Sequence, residues 1–305
     1  MVPRPQHVAH ATLDLLVEDW TVPILRALMV APRRPSELES RLPGVTHSAL
    51  MRRLGELVSK RLASRSRASV LNPTVVYALT SPGRLILDVM GAAERWERRW
   101  TDETTDGISA LHLIADEPTR EILLALAEGP LAPAQLGRQI SLSRSPLRRR
   151  LAGLTARDVL ERRGSGGHIS YALTESARDL MLVSIAAARW QWEVEAPDHP
   201  PPALNVVHMV QMFAERAELP ADLEGVCHLH VEDGAEKPVV LLAAQGRRLT
   251  ALPAHTGTPH AVCHATPHEW CDALLLRRWG SITTTYGDRA LMAALIACIS
   301  SSLLT

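Results

Sequence analysis

The sequence predicts a mainly α-helical chain in which one unit occurs twice and a smaller α+β domain follows. Two observations support this: a repeat within the first 195 of 305 residues, and a change of charge after it. The composition, 46% hydrophobic and 22% charged, is that of a globular protein. We expect three domains, at residues 1–100, 101–195 and 196–305.

The repeat consists of four short blocks that recur in the same order. The paired blocks are 24–28 with 122–126, 48–57 with 145–154, 77–80 with 171–174, and 95–96 with 189–190. The third pair is Tyr-Ala-Leu-Thr in both places. The offset is 98 residues for the first pair, 97 for the second and 94 for the last two, so a small loop deletion accounts for the difference. Four colinear matches predict a duplication.

Local signals predict the helices of the first copy. Apolar residues at helical spacing indicate helices at 10–17 and 22–29. Ser36 can cap a short helix that ends before Pro43-Gly44. Thr46 can cap a further helix, whose buried stripe consists of Leu50, Leu54 and Leu57.

A hairpin and a long helix complete the unit. Residues 61–69 and 74–79 read as two strands, and Thr80 opens a helix to about residue 100. The second copy has the same plan. Its predicted helices are 108–115, 118–127, 133–139, 143–156 and 174–193, with strands at 159–163 and 168–173. This order is that of a helix-turn-helix followed by a β-wing, so we predict two tandem winged helix-turn-helix domains.

The net charge of zero conceals a division along the chain. Residues 1–195 carry +4 and residues 196–305 carry −4. Two short stretches, 33–67 and 138–163, carry +6 each. Concentrated positive charge of this kind is more typical of a polyanion-binding face than of ordinary solvated surface. Together with the helix-turn-helix order, it predicts double-stranded DNA as a partner.

A helix-turn-helix inserts its second helix into the major groove, where residues near the N-terminus meet base edges and cationic residues meet phosphates. The candidate contacts on these recognition helices are Thr46, His47, Ser48, Met51, Arg52, Ser143, Arg144, Ser145, Arg148 and Arg149. The candidates on the wings are Arg65, Arg67, Arg162 and Arg163. Arg53 and Arg150 lie nearer the buried edge, and for them a salt bridge and a phosphate contact are both open.

Residues 8–100 resemble the winged-helix domain of HxlR-type bacterial transcription regulators. The matching motifs are Asp-Trp-Thr at 19–21, Ile-Leu-Arg-Ala-Leu at 24–28, Arg-Pro-Ser-Glu-Leu at 34–38, Leu-Pro-Gly-Val-Thr at 42–46, Leu-Met-Arg-Arg-Leu at 50–54, and Tyr-Ala-Leu-Thr-Ser-Pro-Gly at 77–83. The resemblance implies a sequence-specific DNA-binding transcription regulator.

The chain also departs from this family in two respects. Many members carry a cysteine near the N-terminus that serves redox sensing, whereas the first cysteine here is Cys227. Members usually act as homodimers of one winged helix. A chain with two copies is either a monomeric pseudo-dimer or a homodimer.

A proline-rich stretch at 195–202 predicts a stiff linker to the last domain. After it we expect a helix at 204–217, strands at 225–231, 238–244 and 260–264, a helix at 266–276, a strand at 279–285 and a helix at 291–304. This order is similar to sterol-carrier-protein-like domains, which implies a small hydrophobic ligand in an apolar tunnel. The candidate lining residues are Met209, Met212, Phe213, Leu229, Trp270 and Tyr286. Plain core is the alternative for the methionines.

Metal binding competes with this interpretation, because cysteines and histidines cluster in the same domain. Thiolate and imidazole suit zinc, but the spacing matches no standard finger. Strand alternation also places Cys227 and His228 on opposite faces. Buried cysteines and surface histidines are the alternative, and we predict no metal and no cofactor.

Catalysis has little support, since the sequence contains neither a Gly-rich phosphate loop nor a Gly-x-Ser-x-Gly elbow. No secretory signal or membrane span is evident, so we expect a cytoplasmic protein that does not enter a membrane. The favoured function is a ligand-responsive transcription regulator rather than an enzyme. The alternative is a winged-helix module that binds proteins or sequesters a ligand without specific DNA recognition.

Overall fold

The computed structural model describes residues 14–67, 74–101, 108–127, 129–140, 142–165, 168–195, 205–233, 237–253, 257–278, 280 and 282–304. The first four residues of the helix predicted at 10–17, the end of the strand predicted at 61–69, and all but the first residue of the predicted linker lie outside this part of the chain. Within it, no helix is long and apolar enough to cross a membrane.

The first segment, residues 14–101, has the predicted order of helices and strands. After a helical stretch at 14–17, its elements are α1 (Thr21–Val30), α2 (Pro35–Arg41), α3 (His47–Ser59), β1 (Ala63–Arg67), β2 (Val75–Leu79) and α4 (Ser81–Trp100). Strands β1 and β2 pair antiparallel. Leu50, Leu54 and Leu57 of α3 are fully buried, as their spacing predicts. This is the winged helix-turn-helix order.

The second segment, residues 108–195, shows the same order. Its elements are α5 (Ile108–Ala115), α6 (Glu117–Ala127), α7 (Pro133–Gln139), α8 (Arg144–Ala156), β3 (Leu160–Arg163), β4 (Ser170–Leu173) and α9 (Glu175–Glu195). Strands β3 and β4 again pair antiparallel. The predicted strands at 61–69 and 159–163 both begin later than expected. The reason is that Arg61 and Asp158 have φ angles of 59° and 56°, which end the preceding turn before a strand can start.

Equivalent hydrogen bonds hold the hairpin in each segment. The Tyr77 amide and carbonyl exchange backbone bonds with Arg33, both at 2.8 Å, and Tyr171 does so with Leu131 at 2.9 and 3.0 Å. The Thr80 hydroxyl donates to the Leu62 carbonyl at 3.1 Å and accepts from the Gly83 amide at 3.0 Å, which caps α4.

Thr174 repeats the cap of Thr80. Its hydroxyl donates to the Val159 carbonyl at 2.9 Å and accepts from the Ala177 amide at 3.2 Å. The identical Tyr-Ala-Leu-Thr sequence therefore performs the same structural task twice.

By internal contacts the chain divides into two compact units. One comprises Met1–Ile122, Leu142–Arg150 and Asp179–Trp190, and the other comprises Leu123–Ser141, Leu151–Arg178 and Gln191–Thr305. Within the first unit, α4 and the central part of α9 run antiparallel. The Trp190 indole donates to the Pro82 carbonyl at 2.9 Å, and the Trp100 indole donates to Asp179 at 2.8 Å, so opposite ends of the two helices meet.

Residues 205–304, in the second unit, form an α+β arrangement. The elements are α10 (Val206–Phe213), a 3-10 turn (Ala214–Arg216), β5 (Gly225–Val231), β6 (Val239–Gln245), β7 (Arg248–Leu252), β8 (Ala261–Ala265), α11 (Pro267–Leu276), β9 (Thr283–Gly287) and α12 (Arg289–Leu304). The sheet order is β7-β6-β5-β8-β9, with β5 and β8 parallel and the other pairs antiparallel. The alternating buried residues Cys227, Leu229 and Val231 mark the core face of β5.

Two sequence predictions for this region were wrong in detail. Strand β7 was not expected, because its sequence, Arg-Leu-Thr-Ala-Leu, has one β-branched and no aromatic residue and so carries a weak strand signal. The turn at Gly246, with φ of 58°, returns the chain to pair with β6. The last strand begins at Thr283, four residues later than predicted, because its pairing with β8 sets the register. It ends at Gly287, whose φ is 85° and where a Cβ would lie 1.9 Å from the His260 carbonyl oxygen.

A buried arginine joins α3 to the residues before α1. The side chain of Arg53 is 2% exposed. Its guanidinium contacts Glu18 at 3.0 Å, the Asp19 carbonyl at 3.2 Å and Glu56. The equivalent in the second segment is Arg150, whose guanidinium contacts Asp116 at 2.7 Å and whose side chain is 33% exposed. Both residues therefore form the salt bridges that the sequence left open.

We expect Arg53→Ala to lower the free energy of unfolding by about 3 kcal/mol, because it removes a buried ion pair and the packing of the side-chain stem. Arg150→Ala should cost only about 1 kcal/mol, since its ion pair is partly exposed. Urea denaturation of both variants measures the difference. Arg52→Ala is the control, expected within about 0.5 kcal/mol of the parent because its side chain lies on the surface. Equal losses at positions 53 and 150 would contradict the assigned roles.

Candidate nucleic-acid interface

The predicted recognition helix of the first segment, α3, presents four of its five candidate contacts to solvent. Thr46, His47, Ser48 and Arg52 are exposed, while Met51 is half-buried. Thr46 also caps the helix, since its hydroxyl accepts from the Ala49 amide at 3.2 Å. The cap positions the first turn of α3 whether or not Thr46 itself contacts a ligand.

Acidic side chains flank the exposed face of α3. His47 Nδ1 lies 2.6 Å from Glu39 Oε1 of α2. The Arg52 guanidinium lies 3.1 Å from Glu56, one turn further along α3. Glu56 also binds the buried Arg53. Arg52, the cationic candidate of this helix, is therefore already paired with a carboxylate, and His47 lies beside another.

The corresponding helix α8 has a different electrostatic environment. Ser143, Arg144, Ser145, Arg148 and Arg149 are all exposed. Across the described ranges none of the three arginines has an ion-pair partner. On the opposite side of the helix, Leu147, Leu151 and Leu154 are buried. The exposed side of α8 is therefore a surface of hydroxyls and unneutralised guanidinium groups.

The wing arginines are all exposed. Arg65 and Arg67 alternate with serines on β1, and Arg162 and Arg163 end β3. Arg163 pairs with Glu161 of the same strand. Two further exposed cations, Arg138 and Arg157, were not among the candidates. The charge count of the 138–163 stretch included them, but no position within a helix-turn-helix singled them out.

The candidate lining residues of the last domain do not all share one surface. Met209, Phe213, Leu229 and Trp270 are buried, and Met212 is half-buried. Tyr286 is 54% exposed and pairs with Val262, beside the core residue Cys263. Because neighbours in a strand alternate between faces, Tyr286 lies on the side of the sheet away from Leu229. The structure therefore buries four of the six, leaves Met212 half-buried and separates Tyr286.

The cysteines of this domain lie in its core. Burial raises the pKa of Cys227 to about 12, with smaller contributions from Cys263 and Asp288, and burial raises that of Cys271 to about 12. Zinc binds cysteine as the thiolate, so these buried thiols would have to lose their protons to serve as ligands. Within the described residues no group of three or more His, Cys, Asp or Glu side chains is arranged to hold a metal ion.

Three histidines lie on the sheet face away from the core. The rings of His230 and His264 stack with centroids 4.2 Å apart, and that of His228 lies 6.4 Å from His230. Glu232 lies 3.2 Å from His264 Nδ1. Burial lowers the pKa of His230 below 6.5; the neighbouring His264 and His228 lower it further, and Glu232 opposes them.

The fold and the exposed residues of α3 define the class of a helix-turn-helix protein with a β-wing. Residues 15–105 match the family described as HxlR-like helix-turn-helix. A relative, an uncharacterized HTH-type transcriptional regulator of Synechocystis, is 32% identical over 106 residues, which are 35% of this chain and 76% of the relative. This chain belongs to the HxlR-like helix-turn-helix family.

Other proteins also resemble part of this chain. The uncharacterized HTH-type transcriptional regulator YvaP of Bacillus subtilis is 28% identical over 90 residues, 30% of this chain and 83% of the relative. The structure of the reduced transcriptional regulator YodB of B. subtilis matches 33% of this chain and 96% of its own, with 24% identity and a TM-score of 0.30.

We expect the free energy of unfolding of the compact unit that contains residues 205–304 to fall as the pH drops below about 6.5, the ordinary pKa of histidine. The folded state holds His230 neutral, because its pKa there is lowered. Between the two pKa values the unfolded state binds more protons than the folded state, so stability falls as the pH drops through this window. Below the lowered pKa of the folded state no further stability is lost. Urea denaturation followed from pH 8 to 5, with the parent and His230→Gln compared, tests this. A loss of stability that is the same in both proteins would contradict the role of His230.

Proposed function

We propose that this protein is a sequence-specific transcription regulator that binds duplex DNA through two helix-turn-helix units, residues 14–101 and 108–195. The observation that carries the proposal is the placement of α3 and α8. Each buries a leucine stripe and exposes hydroxyl and cationic residues over its first two turns. These are the residue types that contact phosphates and base edges in a major groove. Relatives of this chain are named as HTH-type transcriptional regulators.

Two features support a second helix-turn-helix unit in the same chain. The hairpin bonds of Tyr77 and Thr80 recur at Tyr171 and Thr174, and the ion pair of Arg53 recurs at Arg150. The antiparallel contacts between α4 and α9 further favour a pseudo-dimer within one chain, in which two long helices play the part that a subunit interface plays in a dimer. A homodimer of such chains would span a longer DNA site.

The proposal includes regulation by a small hydrophobic ligand bound in the last domain. Met209, Met212, Phe213, Leu229 and Trp270 would enclose it between α10, α11 and the sheet. A route for coupling exists at the end of α9. The Trp192 indole donates to Asp272 of α11 at 2.8 Å. Its ring packs edge-to-face with that of His268, with the ring centroids 4.5 Å apart. A ligand that moved α11 would therefore act on α9, the closing helix of the second helix-turn-helix unit.

We expect discrete fragments of pooled genomic DNA to be retained by the full-length protein, with affinity falling steeply as salt rises. The double variant Arg148→Glu/Arg149→Glu should lose most of this retention, because like charges would then face the phosphates. Arg247→Glu/Arg248→Glu, which also reverses two exposed charges but lies in the last domain, is the control and should bind as the parent does. Retention that is unaffected by the double variant would contradict the proposal and favour a module that binds proteins.

We expect a fluorescent long-chain fatty acid, used as an apolar probe, to bind the full-length protein saturably and to change its affinity for a retained fragment. Trp192→Phe should preserve probe uptake but weaken the effect on DNA, since it removes the hydrogen bond to Asp272. Fluorescence titration and a DNA-binding assay measure the two properties separately. Absence of saturable uptake would contradict ligand sensing while leaving DNA binding intact.

A further inference from the structure

The two recognition helices differ systematically in charge at equivalent positions. Aligned through the repeat, Glu39 of α2 corresponds to Gly137 of α7, and Glu56 of α3 corresponds to Gly153 of α8. A third acidic residue, Glu37, corresponds to Gln135. Each position that holds a glutamate in α2 or α3 thus holds an uncharged residue in α7 or α8.

The substitutions produce a large difference in charge. Helices α2 and α3 together contain three arginines and three glutamates, whereas α7 and α8 contain five arginines and no acidic residue. With histidine neutral, the first pair carries no net charge and the second carries +5. Because Coulomb attraction to phosphates depends on the local charge, the second pair should bind DNA more strongly.

The contacts of two equivalent arginines show the same difference at atomic scale. Arg52 is held 3.1 Å from Glu56, which also binds Arg53. To reach a phosphate, Arg52 must leave Glu56 close to that phosphate as an uncompensated negative charge. Arg149 occupies the corresponding place on α8, where Gly153 stands instead of the glutamate, and no described residue forms an ion pair with it.

The residues that would face the bases differ as well. The first helix offers Thr46, His47, Ser48 and Met51, whereas the second offers Ser143, Arg144, Ser145 and Arg148. Arginine pairs most readily with guanine in the major groove, while methionine can supply only an apolar contact such as one to the thymine methyl group. Two helices with different side chains read different base sequences.

We propose, on the basis of the proposed DNA-binding function, that the two units are unequal: α8 anchors the protein electrostatically, α3 reads a second and different half-site, and the target DNA is non-palindromic. Both helices belong to one chain, so the weaker contact benefits from the high effective concentration created by the stronger one. A homodimer of single winged helices has no such freedom, because its two recognition helices are identical.

The decisive variant is Gly153→Glu, which places on α8 the carboxylate that restrains Arg52 on α3. A Cβ at position 153 has room, with its nearest contact at 3.9 Å on the flexible Arg157. Gly153→Ala is the matched control, because it changes the helix in the same way without the charge. Arg52→Gln and Arg149→Gln form a second matched pair at equivalent positions.

We expect Gly153→Glu to weaken binding to a retained DNA fragment about fivefold and to reduce the salt dependence by about one ion, while Gly153→Ala remains within about twofold of the parent. Arg149→Gln should lose clearly more affinity than Arg52→Gln. Selection from a random duplex pool by the parent should yield a motif with two unlike halves. Circular dichroism of each variant checks that it is folded.

Failure of this inference is distinguishable from failure of the proposed function. If the parent binds DNA but the two glycine variants behave alike, or Arg52→Gln costs as much as Arg149→Gln, or the selected motif is palindromic, the units are equivalent and the inference is wrong. If the parent selects no motif and retains no fragment, DNA recognition itself is wrong.

Discussion

The ion pair between the recognition helix and the segment that precedes it is the contact on which the presentation of α3 depends. Arg53 is buried on the edge of α3 and reaches Glu18 and the Asp19 carbonyl, which lie 35 and 34 residues earlier in the chain. An unpaired buried guanidinium is costly, so its carboxylate must remain in place, and the rotation of α3 about its axis is thereby set. The exposed residues one turn away on the same helix owe their orientation to this contact. Arg150 and Asp116 form the same link with less burial.

Neighbouring charge then decides what each exposed arginine can do. An arginine beside a carboxylate mainly stabilises its own helix, whereas an arginine without one retains its full attraction for a polyanion. Glu56 forms ion pairs with two arginines in the first segment, Arg52 and Arg53, whereas the equivalent position in the second segment is Gly153, which has no charge to offer.

Tryptophan side chains that hydrogen-bond as well as pack hold the last domain together and join it to the end of α9. Trp270 is fully buried and donates to the His230 carbonyl at 3.0 Å, which joins α11 to the central strand β5. Trp192 performs the equivalent task between α9 and α11. A buried indole needs a partner for its N–H, so both contacts are geometrically specific as well as hydrophobic.

Much of this architecture follows from the sequence by itself. Helix spacing, caps such as Thr46 and Thr80, and the repeated Tyr-Ala-Leu-Thr act locally, so the elements of both segments and most strands of the last domain could be predicted. The exposed faces of α3 and α8 could also be predicted, since a leucine stripe defines the opposite face of each helix. Only the tertiary structure decided which exposed arginines of the described residues have a carboxylate partner. It also decided that Tyr286 lies apart from the other lining candidates and that β7 pairs with β6. These outcomes depend on contacts between residues distant in the chain, or on a strand register set by a neighbour, and local periodicity does not encode either.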